Sequence, residues 1–357
     1  MKIQFNRPSY ISPNSLIHKI RRIIDSGVYT NGFYLRQLEY KAAEYLGVKD
    51  VVAVSSCTSG LMLIAKCLEL EGEVITPSFS FSATSLALLW AGLKPVFVDC
   101  KLTDFNIDVN RVTEAITLKT SAILATHIFG NPCNKKRLER IARVNDIKLI
   151  FDAAHGFGSL YRDGSNVGSG GVAEVFSLAP SKLLTGGEGG LIATNKPWLA
   201  DKLRIARNYG NPGNYNITIQ GLNARMSELN AAMALTHLPS ISFRILHRTK
   251  IAKLYQEGLK KLGIEYQTLN GFTNHSYFAL KHPKRDKIAT KLERAGIETK
   301  KYFDPPIHKQ KLFRKFDVTI PILSNTLKLS YEVLCLPIYN DISEMRVSVI
   351  LGNMHDL

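Results

Sequence analysis

The sequence predicts an α/β protein: a large domain with a mostly parallel seven-stranded sheet between helices, then a smaller C-terminal α+β domain. Three observations carry this. The chain has 357 residues and is 45% apolar, enough for a large core and more than one domain. Short apolar runs alternate with helical patterns through the first two-thirds, which argues for strands joined by crossover helices. Near residue 245 that alternation stops. The expected division is 1–244 for the large domain and 245–357 for the small one.

Taken in order, the strand candidates are Val51 to Val54, Glu73 to Thr76, Pro95 to Val98, Ala122 to Thr126, Lys148 to Asp152, Glu174 to Ser177 and Gly190 to Thr194. Their runs are apolar almost throughout, as strands covered on both faces must be. Helical patterns fall between them at Gly60 to Glu69, Ala83 to Ala91, Val109 to Ile116 and Lys136 to Val144. The last two strands are joined by glycine-rich chain with no full helix, so an antiparallel member is expected there. A long helix follows from Ser227 through His237 and resumes after Pro239 as far as Leu259. Beyond it, Ser276 to Leu280 reads as a strand and Lys287 to Ala295 as a helix. Thr326 to Ser330 and Val333 to Leu336 read as short extended pieces.

Composition narrows the function classes. No apolar run reaches membrane-spanning length, and the first eight residues lack the apolar segment of a secretory signal. Five scattered cysteines, never spaced CxxC, read as free thiols of a cytoplasmic protein; no metal is expected. The net charge of +16 suits either nucleic acid or a substrate carrying several phosphates. The basic residues are spread, and no aromatic-basic RNA-binding signature appears. A nucleic-acid-binding regulator is the remote alternative.

Lys182 lies on a loop of small residues and glycines, Phe176 to Gly190, between two strands. A lysine there is expected to be buried or covalently occupied. Thirty positions earlier, the strand Lys148 to Asp152 ends on an acid. Pyridoxal phosphate requires this pair: an amine for the Schiff base, and a carboxylate that keeps the pyridine nitrogen protonated. Ser55 to Gly60 follow the first strand and open a helix, where free N–H groups hold phosphate. An N-cap alone would also explain them. Ser177, at a strand end, is placed to reach that phosphate. Phe81 follows the second strand and can stack on a flat ring, or simply fill the core. His155, three residues after Asp152, can face the same ligand. Asp99, Asp104 and Asp108 are irregularly spaced and read as a plain loop.

Together these segments resemble the DegT/DnrJ/EryC1/StrS family of sugar aminotransferases, over nearly the whole chain. The likeness rests on Glu73 to Phe81, Ala91 to Asp99, Phe105 to Asp108, His127 to Pro132, Asp152 to His155, Ser177 to Gly190 and Gly221 to Leu229. It implies the fold type I architecture of pyridoxal phosphate enzymes. It implies Lys182 as Schiff-base lysine and proton shuttle, Asp152 on the pyridine nitrogen, and Phe81 on the ring. His155, where many members carry glutamine, is implied near the ring hydroxyl. Thr58, Ser59 and Ser177 are implied phosphate ligands. Asn223 is implied to reach the phosphate of the neighbouring subunit's cofactor, which makes the working unit a homodimer. His308 matches a segment near the sugar.

The family's usual glycine is Cys57 here, expected to tighten the phosphate loop, and its frequent alanine is Gly60. Relatives with histidine for the lysine are dehydratases; Lys182 favours transamination. The wording of several segments is nearest to transaminases that make dTDP-4-amino-4,6-dideoxyglucose. The resemblance therefore implies amino transfer from glutamate, leaving 2-oxoglutarate, to C4 of dTDP-4-keto-6-deoxyglucose for O-antigen or other glycan synthesis. A 3-keto sugar aminotransferase, or another pyridoxal phosphate sugar enzyme such as a dehydratase on the same fold, is the alternative.

Overall fold

In the computed structural model, residues 2–8, 13–313 and 322–355 are described. Seven strands form the main sheet: β1 (Asp50–Val54), β2 (Glu73–Pro77), β3 (Lys94–Val98), β4 (Thr120–Thr126), β5 (Lys148–Asp152), β6 (Ala173–Ser177) and β7 (Gly190–Thr194). They lie in the order β1-β7-β6-β5-β4-β2-β3. Only β7 runs against its neighbours, so the expected antiparallel member is present.

Adjacent residues of β1 show how the layers are built. Val51 and Ala53 enter one core, with Leu35 and Leu38 of α2 (Phe33–Leu46) and Ala231 of α8 (Glu228–His237). Val52 and Val54 point the other way, onto Leu61 and Ile64 of α3 (Cys57–Cys67) and Leu199 and Leu203 of α7 (Pro197–Ala206). Strand alternation thus feeds two cores, and both faces need cover. The remaining helices of this part are α1 (Pro13–Ser26), α4 (Ser82–Trp90), α5 (Val109–Glu114) and α6 (Lys135–Val144).

A 3₁₀ turn at Leu238–Ser240 separates α8 from α9 (Ile241–Lys261), as a proline there demands. A second sheet, order β10-β9-β8, is antiparallel and joins β8 (Glu265–Tyr266), β9 (Phe278–Lys281) and β10 (Val333–Leu336). It packs with α9, α10 (Arg285–Arg294) and α12 (Glu344–Gly352) around Tyr255, Leu280, Ile288 and Ile350. Ile3 belongs to this core and bridges to Ile297, nearly three hundred residues later.

One expectation fails. Thr326 to Ser330 is not extended; it lies inside α11 (Ser324–Glu332). The helix is started from a distance. Asp99, at the end of β3, accepts the N–H groups of Asn325 (2.9 Å) and Thr326 (2.7 Å) and the Thr326 hydroxyl (2.7 Å). A carboxylate on first-turn N–H groups acts as an N-cap. Asp104 and Asp108 are also committed to N–H donors, Asp104 to Asn106 and Asn270, Asp108 to Asn110 at the start of α5.

Candidate active site

The carboxyl ends of β1, β2, β5 and β6 meet the start of β7, where ligands bind in open parallel sheets. Asp152 ends β5 and is only 5% exposed. Thr84 in the first turn of α4 donates its hydroxyl to Oδ2 at 2.6 Å, and the Ala154 N–H donates to Oδ1 at 3.0 Å. Cys57 offers its S–H to Oδ1 at 3.9 Å and to the Val175 carbonyl at 3.7 Å. Burial, then the Asp152 charge, pushes the Cys57 thiol well up, so it stays protonated. Cys57 therefore leans on Asp152 as well as opening α3. Among the described residues no lysine or arginine pairs with Asp152. A buried carboxylate lacking a cation is costly. A protonated ring nitrogen is the partner it fits, so the site suits pyridoxal phosphate.

The phosphate end fits as well. Ser56 caps α3, with its hydroxyl accepting the Ser59 N–H and the Ser59 hydroxyl accepting the Ser56 N–H. The Ser55 and Ser56 hydroxyls each lie 3.1 Å from the Ser59 hydroxyl. Thr58 is half-buried beside them. Ser59 thus serves the capping box. Ser177 ends β6, its hydroxyl accepting the Ala179 N–H. Gly190 lies so close to this loop that a Cβ would sit 2.6 Å from the Ser56 carbonyl carbon.

Lys182 is half-buried rather than buried. Its Nζ stands 5.9 Å from the centre of the Tyr277 ring, which meets His155 edge-on at 4.8 Å. Burial, then the nearby Lys182 charge, pushes His155 well below the usual histidine range, leaving a neutral imidazole. The loop carrying Lys182 is tied down by α8 and by the segment around Asn6. Asn230 of α8 donates to the Gly186 carbonyl (2.6 Å), His237 Nδ1 meets the Thr185 carbonyl (2.7 Å), and Asn6 donates to the Ser181 carbonyl (3.0 Å). Phe81 precedes α4 and is 60% exposed, with a face open to a ligand.

Two expected residues stand further out. Asn223 is exposed on a segment that bridges to Asn208. His308 is 2% exposed, with Nδ1 2.6 Å from the Ser78 hydroxyl just beyond β2. Sequence reasoning missed Thr84, Tyr277 and Asn274, whose amide donates to the His155 carbonyl at 2.8 Å. A hydroxyl one turn into the helix after β2 was the only available signal for Thr84.

Comparison with known proteins agrees with this geometry. A dTDP-4-amino-4,6-dideoxy-D-glucose transaminase of Escherichia coli is 36% identical over 339 residues, 91% of each chain. A dTDP-3-amino-3,6-dideoxy-alpha-D-galactopyranose transaminase of Aneurinibacillus thermoaerophilus is 32% identical, over 89% of this chain and 88% of its own. The crystal structure of DesI in the presence of its TDP-sugar product superposes with a TM-score of 0.93 at 33% identity, covering 99% of this chain and 92% of that one. Residues 12–355 match the DegT/DnrJ/EryC1/StrS aminotransferase family. With a lysine, a buried aspartate and a serine-rich helix start gathered beyond the strand ends, the chain belongs to that family of pyridoxal phosphate-dependent nucleotide-sugar aminotransferases.

Proposed function

We propose that this aminotransferase moves an amino group from glutamate to C4 of dTDP-4-keto-6-deoxyglucose, feeding O-antigen or related glycan synthesis in the cytoplasm. The observation that carries the transaminase chemistry is Lys182 beside a neutral His155 and a buried Asp152. The choice of C4 leans on the 36% identical relative. Pyridoxal phosphate, when bound, supplies an electron sink that labilises the proton on the donor's Cα. Asp152 would hold the ring nitrogen, Thr84 would fix that carboxylate, and Phe81 would cover one ring face. Thr58, Ser59 and Ser177 would hold the phosphate, with Asn223 of a second copy completing it in a homodimer. His155 would sit at the ring hydroxyl and His308 near the sugar. Lys182 Nζ takes the proton from the donor's Cα and returns a proton to the sugar carbon in the second half-reaction. On this reading residues 1–244 form the cofactor domain and 245–357 the small domain.

The test is incubation with glutamate and the 4-keto sugar nucleotide, followed by mass spectrometry and NMR of the product. A 4-amino sugar and 2-oxoglutarate are expected. Turnover of a 3-keto isomer instead would move the assignment to the alternative, and loss of sugar oxygen without gain of nitrogen would mean dehydration.

A further inference from the structure

Directly behind Asp152 lies a polar group that the reaction above does not use. Glu174 of β6 and His127, just past β4, are both 0% exposed. Glu174 stands in register with Phe151, the residue before Asp152. Its carboxylate accepts the Tyr161 hydroxyl (2.8 Å) and the Gly170 N–H (2.6 Å) on one oxygen, and meets His127 Nε2 at 3.0 Å on the other. The Cys133 N–H donates to His127 Nδ1 at 3.0 Å. That nitrogen therefore bears a lone pair, the ring proton is on Nε2, and His127 is neutral. Three donors converge on Glu174, the pattern an ionised carboxylate takes. Tyr161 remains a phenol, pushed well up by burial and then by the Glu174 charge. His127 is also fastened to β5: its N–H donates to the Asp152 carbonyl at 3.0 Å, and its ring stacks on Phe151 at 4.7 Å.

We propose that Glu174 is a positioning residue of the active site, a fixed buried negative charge behind Asp152 that raises the proton affinity of the cofactor held there. The proposal rests on the cofactor assignment, not on the identity of the sugar. Other charged or titratable groups face this network: Cys133, Lys135 over the Tyr161 ring, and Glu139 on one side; Cys57, His155 and Lys182 around Asp152 on the other. Lys135 is already engaged by Asp163 at 3.0 Å, so the Glu174 charge has no cation of its own in the triad.

The test is Glu174→Gln, read by pH titration of the holoenzyme's visible absorption without either substrate. The alkaline midpoint should fall by about one pH unit, as expected for loss of a unit charge roughly 10 Å away in a protein interior. A merely structural role would weaken cofactor binding without moving the midpoint. An unmoved midpoint in a folded variant, verified by circular dichroism, overturns the proposal. Nitrogen NMR of His127 in the wild-type protein needs no variant: an Nδ1 without a proton and a proton on Nε2 are expected from the Cys133 hydrogen bond, and a proton on Nδ1 overturns it. Neither measurement uses the sugar, so failure of the C4 assignment leaves both results standing.

Discussion

Among the described residues, Asp152 is a buried carboxylate without a paired cation, and Lys182 an amine without a paired carboxylate. On the proposed roles, Lys182→Ala should abolish the visible band of the cofactor-loaded protein and lower turnover at least about 10³-fold, since both the proposed attachment point and the proposed proton carrier go. Thr84→Val should be milder. It removes one hydroxyl donor from Asp152 Oδ2, so kcat/KM should fall about tenfold, the kinetic equivalent of one charged hydrogen bond. Absorbance and steady-state kinetics check both. Asp152 and Ser177 stand out in the sequence because each ends an apolar strand, and Lys182 because its glycine-rich loop joins two of them. Thr84 was not, because it reaches Asp152 from 68 positions away and looks in sequence like any helix-start threonine. Tyr277 arrives from just before β9, the middle strand of the second sheet, which no local pattern announces.

At the scale of elements, caps supplied from afar decide what sequence can show. The seven strands and most helices follow from hydrophobic period alone. Helix α11 was misread as extended because Thr326, Leu327, Lys328, Leu329 and Ser330 alternate polar and apolar, while the Asp99 carboxylate that starts the helix comes from β3. Helix α2 has the same dependence. Its N-cap residue, Gly32, offers no side chain, and Glu228 of α8 instead accepts the N–H groups of Gly32, Tyr34 and Leu35. Glu228→Ala would strand three buried donors. A loss of about 3 kcal/mol is expected in urea unfolding, because unsatisfied buried groups cost about 1–3 kcal/mol each and some relax toward water. The neighbouring Asn230, also on α8, holds the lysine loop, so Asn230→Ala should lower activity more than stability.

For the molecule as a whole, protons and salt give separate readouts. Burial, then the Arg248 charge, pushes His275 down to about 4. The folded state keeps this ring neutral, whereas the unfolded chain binds a proton below about pH 6.5. Stability is therefore unaffected above pH 6.5 and declines as pH falls toward 4, by about 3 kcal/mol from this residue. His308, also pushed down to about 4, acts in the same direction. Urea midpoints at pH 7, 5.5 and 4.5 should show the decline, and His275→Asn should make it shallower, leaving the share of His308. The net charge of +16 should attract a nucleotide diphosphate. Raising salt from about 0.05 to about 0.5 M should lower kcat/KM for the sugar severalfold and leave kcat in place.

The bridge between Ile3 and Ile297 has a temporal meaning. The ribosome releases Ile3 long before Ile297 and the rest of the core that receives it. Until that later chain emerges, the stretch around Ile3 has nowhere to dock. Ile3→Ala should therefore loosen the second sheet before the main one, which hydrogen exchange around β10 and α12 would register.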